Sequence, residues 1–147
     1  MRLITIDKTA LKGYSKDPEM LQKADRPSAL VIRLKYKGSR YDFAIPLRSN
    51  ISKSAPKNQY FPLPPRSTTK DYNRHGLHYL KMFPVKREWL HPFHTENNVY
   101  ASLIKAIIDK NEKQIVAECQ EYLNRYEAGI INDFATNIDM LLNIMSS

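Results

Sequence analysis

The sequence predicts an α+β fold, with strands in the front two thirds and helices in the back third. Three observations carry this expectation. Between Ala29 and Leu47 apolar residues run continuously and then alternate, at the period of strands. Prolines at 62, 64 and 65 forbid a helix or a central strand in the middle of the chain. From residue 100 onward apolar side chains recur every three or four positions, the period of helices lying against a core.

Residues 2–6 alternate as a short strand, and the polar stretch from Thr9 to Arg26 is punctuated by Pro18 and followed by Pro27. There Leu11, Tyr14, Met20 and Leu21 suit either a short helix or a packed loop. Ala29-Leu30-Val31-Ile32-Arg33-Leu34-Lys35-Tyr36 reads as a strand, and Lys37-Gly38-Ser39 turns it into a second at 40–47. In the second strand Tyr41, Phe43, Ile45 and Leu47 alternate with Asp42, Ala44 and Pro46, so the two form a hairpin with one buried face. Arg33 and Lys35 share a face; the pairing register decides whether Arg48 joins them.

Residues 54–75 read as a long surface loop, in which Lys57, Tyr60, Phe61, Arg66, Tyr72 and Arg74 interleave cations with aromatic rings. Such rings stack on unpaired bases while the cations follow the backbone, although Tyr60 and Phe61 equally suit anchoring the loop to the core. Gly76 to Val85 reads as one further strand, ended by Pro84, with Trp89 and Leu90 packed beneath. Asn97 or Asn98 caps a helix bearing Tyr100, Leu103, Ile104, Ile107 and Ile108 on one face. Asn111 caps a second, with Ile115, Val116, Cys119, Tyr122, Leu123 and Tyr126, stopped by Gly129. A third helix aligns Ile130, Phe134, Ile138, Leu141, Leu142 and Met145.

At 147 residues, 42% hydrophobic and 26% charged, the chain is expected to be a single domain, 1–147, with a full core. No apolar run reaches membrane-spanning length, which points to a cytoplasmic protein without a membrane partner. The lone Cys119 falls on an apolar helical stripe and reads as a buried small hydrophobe. His75, His78, His91 and His94 lack metal-binding spacing, and no glycine-rich phosphate loop occurs, so neither metal nor cofactor is expected. The net charge of +8 is divided unevenly. Residues 1–90 hold 19 basic against 7 acidic side chains, and residues 91–147 hold 4 against 8. A basic front on an acidic back is the footprint of a domain that binds a polyanion, and nucleic acid fits best.

The chemistry concentrates at the exit of the second hairpin strand, where Arg48, Ser49, Asn50 and Lys53 follow one another. A guanidinium, a hydroxyl, an amide and an ammonium are the groups that hold a phosphate and stabilise charge on it. Proton transfer needs other groups, for which His75 and His78 are the chemically attractive candidates. Arg33, Lys35, Tyr41, Lys57, Tyr60, Arg66, Arg74, His75 and Lys81 are expected to contact RNA.

Three places give the chain a resemblance to the endoribonuclease toxins of type III toxin–antitoxin systems, the ToxN, AbiQ, CptN and TenpN group. They are the hairpin Leu30 to Leu47 running into Pro46-Leu47-Arg48-Ser49-Asn50, the segment Gly76 to Val85, and the helix pair opening near Tyr100. Members commonly follow Pro-Leu with Thr-Ser and a lysine; here Ser49 matches the serine, Arg48 replaces the threonine, and the lysine is delayed to Lys53. That spelling is closest to TenpN. The resemblance implies a MazF/Kid-like antiparallel SH3-like barrel with added helices. It also implies metal-independent cleavage of cellular and phage RNA to 2′,3′-cyclic phosphate and 5′-hydroxyl ends, in abortive-infection phage defence. The antitoxin is then a small pseudoknot-like RNA, cut by the toxin from its repeats, with which the toxin assembles into an RNA–protein oligomer. In this reading Arg48, Ser49, Asn50, Lys53 and His78 are catalytic. The alternatives are a non-catalytic RNA-binding module using the same basic face, and a protein-interaction domain that docks through its last helix.

Overall fold

A computed structural model describes residues 2–20, 28–93 and 98–147. Leu21, Arg26, Pro27, His94 and Asn97, invoked above, lie outside the described residues. Among the described residues, seven strands and four α-helices follow the expected order, β1 (Arg2–Ile6), α1 (Lys8–Lys12), β2 (Ser28–Tyr36), β3 (Ser39–Ser52), β4 (Tyr60–Leu63), β5 (Asn73–His78), β6 (Phe83–Val85), β7 (Leu90–Pro92), α2 (Val99–Lys110), α3 (Glu112–Glu127) and α4 (Ile138–Ser146). All pairings are antiparallel, in the order β4-β5-β3-β2-β1-β7, with β6 also against β3.

The long strand β3 bends this sheet. Its first half pairs with β2, from Tyr36↔Ser39 to Ala29↔Pro46, and Asp42–Ala44 pair with β6 on its other edge. From Leu47 onward it leaves β2 and pairs with β5 instead. One strand therefore belongs to two sheets, which gives the α+β, barrel-like layout expected for this chain. The hairpin turn is a two-residue reversal in which Lys37 and Gly38 both have positive φ, 49° and 80°, the twist that such turns require.

Alternation on β2 and β3 then builds the core. Ile32, Leu34, Tyr36, Phe43 and Ile45 point inward onto Ile115, Cys119, Tyr122 and Tyr126 of α3. A second cluster gathers Ile4, Ile6, Leu11, Tyr14, Ala44, Phe83, Val85 and Leu141. Tyr14 is fully buried there, donates its hydroxyl to the Pro84 carbonyl at 2.8 Å, and meets Trp89 edge to face, so the polar N-terminal stretch contains both a short helix and a packed loop. Asn98, not Asn111, is a side-chain cap: its Oδ1 accepts from Ala101 N–H at 2.9 Å, while Asn111 donates to the Ile107 carbonyl.

Three expectations are corrected. The proline-containing stretch includes a strand, β4, and Pro62 fits because β4 ends the sheet and has a free edge. The segment Gly76 to Val85 is two strands rather than one, since Tyr79–Lys81 form a 3-10 turn that redirects the chain from β5 into β6. Pro84 pairs within β6 instead of ending it, again at an edge. Finally, the third helix begins only at Ile138. Gly129, with φ of 92°, ends α3: its N–H reaches the Tyr126 carbonyl and that of Ile130 the Arg125 carbonyl, at 3.0 and 2.9 Å. Ile130 and Phe134 therefore lie in a connecting loop, 60% and 71% exposed, and outside the core. Among the described residues no helix is long and apolar enough to cross a membrane.

Candidate functional site

The transfer of β3 from one sheet to the other creates the site. Arg48 pairs with Gly76 and Ile51 with Arg74, so Ser49 and Asn50 together oppose the single residue His75. This is a β-bulge, a feature that bends a strand and re-aims the side chains around it. Gly76 is required beside it, because a Cβ there would overlap the Phe61 carbonyl of β4. The register also answers the question about Arg33. Opposite residues share a face, so Arg33 and Asp42 carry theirs through Ala44 and Pro46 to Arg48. Six residues of strand place the two arginines about 20 Å apart.

Arg48 opens into a cleft of about 630 Å³ walled by Asn50, Ser52, Ser54, His78, Lys81, Glu19 and the loop residues Asn132, Asp133 and Phe134. Among the described residues Arg48 forms no ion pair; its guanidinium lies 3.4 Å from His78 Nδ1. A guanidinium only donates, so that nitrogen accepts and neutral His78 carries its proton on Nε2. Burial lowers Arg48 from its ordinary value, yet it stays a cation. Burial, with the charges of Arg48 and Lys81, pushes His78 down from 6.5 to about 3. His78 is thus a neutral hydrogen-bonding group near pH 7. The Lys81 ammonium, 6% exposed with its residue, lies 3.0 Å from Glu19 Oε1 and 2.7 Å from the Phe134 carbonyl.

This burial has a measurable consequence. An unfolded histidine takes up its proton near pH 6.5 and folded His78 only near 3, so the unfolded chain binds the proton first across that window. The stability that neutral His78 confers is full above pH 6.5 and declines as the pH falls toward 3. Thermal midpoints measured from pH 7 to 4 should therefore drop more steeply for the parent chain than for His78→Asn. Equal slopes would assign the acid loss to other groups.

The remaining expected site residues divide. Asn50 is occupied: its Oδ1 accepts from Lys70 N–H at 3.0 Å and Asn73 Nδ2 at 3.2 Å, and its Nδ2 donates to the Thr68 carbonyl at 3.1 Å. It fastens the 66–73 loop to the bulge. Ser49 is half-exposed, adjacent in the chain to two cleft residues but not itself in the cleft lining, and accepts from the Thr68 hydroxyl at 3.1 Å, leaving its own proton free to donate. Lys53 is exposed on the following turn and is not a cleft residue.

His75 is placed in the interior. It is 1% exposed, with Nδ1 2.6 Å from the Tyr100 hydroxyl and 3.0 Å from the Pro64 carbonyl, and burial lowers its pKa first. Tyr41 packs its ring edge on Phe43, on the face opposite Arg48, and is likewise part of the core margin. Lys81 is buried and lines the cleft. Arg66 covers the Tyr100 ring at 5.5 Å, Lys57 and Arg74 are exposed, and Tyr60 is half-buried. Arg33 and Lys35 are exposed on the outer face of β2. Arg33 joins Arg2 and Arg87 around Asp42, at 3.3 Å from Arg33 and 3.4 Å from Arg87, in a depression separate from the cleft.

Glu19, Ser52, Ser54 and Phe134 were missed as cleft residues. Ser52 and Ser54 follow the cluster at the strand exit and were within reach of that pattern. Glu19 comes from a polar stretch, and nothing local announces that it meets residue 81.

The sequence matches no protein-family model and no curated protein. Its fold, however, is that of type III toxin–antitoxin proteins. A protein of a bacterial antiviral system regulated by a processed non-coding RNA is 16% identical, superposing with a TM-score of 0.74 over 97% of this chain and 96% of that one. AbiQ, a lactococcal anti-phage endoribonuclease of the type III toxin–antitoxin system, is 12% identical, with a TM-score of 0.72 over 99% and 95%. A protein from work on bacterial type III systems, in which a non-coding RNA pseudoknot selectively inhibits the toxin, is 13% identical, with a TM-score of 0.72 over 97% and 94%.

Proposed function

From this shared fold and the placement of Arg48 in the cleft, we propose that the chain is an endoribonuclease toxin of a type III toxin–antitoxin system, held inactive by a structured repeat RNA that it also processes. One observation carries the reading: a half-buried guanidinium, Arg48, faces a cleft and has only a neutral imidazole beside it among the described residues. Desolvating a cation without a carboxylate is unfavourable unless an anion arrives, and a phosphodiester supplies one.

RNA cleavage through its own 2′-hydroxyl needs a base, a group that protonates the departing 5′-oxygen, and donors for the crowded phosphate. In the proposed mechanism Arg48 and the Ser49 hydroxyl hold the non-bridging oxygens, and His78 orients Arg48 by accepting from it. The Glu19 carboxylate, kept in the cleft by Lys81, takes the 2′-hydroxyl proton, and the 2′-oxygen attacks phosphorus. The 5′-oxygen leaves with a proton from the Lys81 ammonium, giving a 2′,3′-cyclic phosphate and a 5′-hydroxyl. Every step uses groups of the chain itself, so activity is expected to survive EDTA.

The test is incubation of the purified protein with mixed cellular RNA in EDTA, followed by mapping of the new ends. Defined cuts with 5′-hydroxyl and cyclic-phosphate ends support the reading, and RNA that is bound but left intact moves it to a binding module. Glu19→Gln, which keeps size and removes the base, should lower the cleavage rate by roughly 100-fold or more with RNA binding retained. Cleavage at the parental rate by the Glu19→Gln variant would remove Glu19 from the mechanism.

A further inference from the structure

We propose that Phe134 is a nucleobase platform of the cleft, stacking on a base next to the phosphate that Arg48 holds; this rests on the reading that the cleft takes RNA. The ring is 71% exposed, and its backbone has a φ of 66°. An aromatic residue gains from burial and is strained in the left-handed region, so the free protein holds Phe134 unfavourably on both counts. The fold nonetheless enforces this placement. Lys81 holds the Phe134 carbonyl at 2.7 Å, Thr136 N–H reaches the Leu80 carbonyl at 3.3 Å, and the Thr136 hydroxyl bonds the Met82 carbonyl. Phe134 and the chain that follows it are thereby tied to the 3-10 turn that carries Lys81 and to Met82 just after it.

The position of the ring selects its partner. Phe134 lines the cleft that contains Arg48 and Lys81, whereas its exposed neighbours Ile130 and Ile131 do not. An open aromatic face beside a cation that forms no ion pair among the described residues, here Arg48, is the combination that binds single-stranded nucleic acid, one part taking the base and the other the backbone. The same ammonium that clamps the Phe134 carbonyl serves the scissile phosphate in the proposed mechanism. Base and phosphate subsites are therefore held at a fixed spacing, which is what a preference for one nucleotide at the cut requires.

The experiment measures binding of a mixed-sequence 2′-O-methyl oligoribonucleotide, which lacks the attacking hydroxyl, to the parent chain and to Phe134→Tyr, Phe134→Leu and Phe134→Gly. Cleavage of ordinary RNA and thermal melting are recorded in parallel. Tyr should bind within about threefold of the parent, while Leu and Gly should lose roughly 5- to 150-fold, the worth of one stacked base. Because no phosphate contact is removed, the dependence of affinity on salt should be unchanged. Gly relieves the positive φ, so its thermal midpoint should not fall, and weaker binding by a chain at least as stable separates stacking from damage to the fold. Parental affinity in Leu and Gly overturns the inference and leaves the ribonuclease reading standing. A parent chain that binds but never cuts overturns the ribonuclease reading and leaves stacking to be decided by the same affinities. A parent chain that does not bind RNA overturns both.

Discussion

Arg48→Ala should lower the RNA cleavage rate by roughly 100- to 1000-fold, the usual cost of removing one preorganised donor to a charged transition state. The position of the guanidinium is what makes the loss large. It is partly desolvated, free of any ion pair among the described residues, and aimed into the cleft by His78 Nδ1 at 3.4 Å. Its charge is thus available to a phosphate and weakly screened by water. Arg48→Lys should recover only part of the loss, since an ammonium keeps the charge but not the planar pair of donors. Single-turnover cleavage beside a thermal melt checks both variants. A rate within a few fold of the parent in a folded Arg48→Ala protein would place the phosphate elsewhere, with the Arg2, Arg33 and Arg87 depression the next site to test.

The largest stability effect should come from Phe43→Ala, at about 3–5 kcal/mol. Phe43 has no exposed surface and stands where β3 is paired on both edges, with Ile32 of β2 and Pro84 of β6. A backbone held from two sides cannot collapse into the space that the ring leaves, so the cavity term adds to the lost burial. At about 2–4 °C per kcal/mol for a chain of this size, the midpoint should fall by roughly 6–20 °C. Denaturant or thermal unfolding measures it, and a loss below about 1 kcal/mol would mean that the strand relaxes freely there. Because this strand leads into the bulge, cleavage by the variant should weaken at temperatures where the fold still survives.

Much of this was legible in the sequence, for identifiable reasons. Alternation and the Lys37-Gly38 turn specify the hairpin, Asn98 and Gly129 mark helix ends, and the cluster at the β3 exit marks the neighbourhood of the cleft. What failed were patterns read without their surroundings. Tyr79-Leu80-Lys81 is apolar enough for a strand, but it turns, and the turn is what delivers Lys81 to the cleft. Ile130 and Phe134 continue a helical period past Gly129, and periodicity cannot tell a core residue from a loop residue with the same spacing. The two-against-one bulge depends on β5, a partner that the local spelling of Arg48-Ser49-Asn50 does not contain. Glu19 reaches its place only through a contact between residues 62 positions apart.

That last kind of contact sets when the cleft can form. Asn137 N–H bonds the Asp17 carboxylate at 2.7 Å across 120 residues, and the Tyr36 hydroxyl bonds Asp139 at 2.7 Å across 103. Since Glu19 and Phe134 form opposite contributions to one cleft, a ribosome must translate past residue 134 before that cleft closes. The growing polypeptide carries its arginines and its hairpin early, but not the pocket. Under the proposed function, a truncation before residue 132 should therefore be harmless to the cell that makes it, even where its N-terminal strands persist.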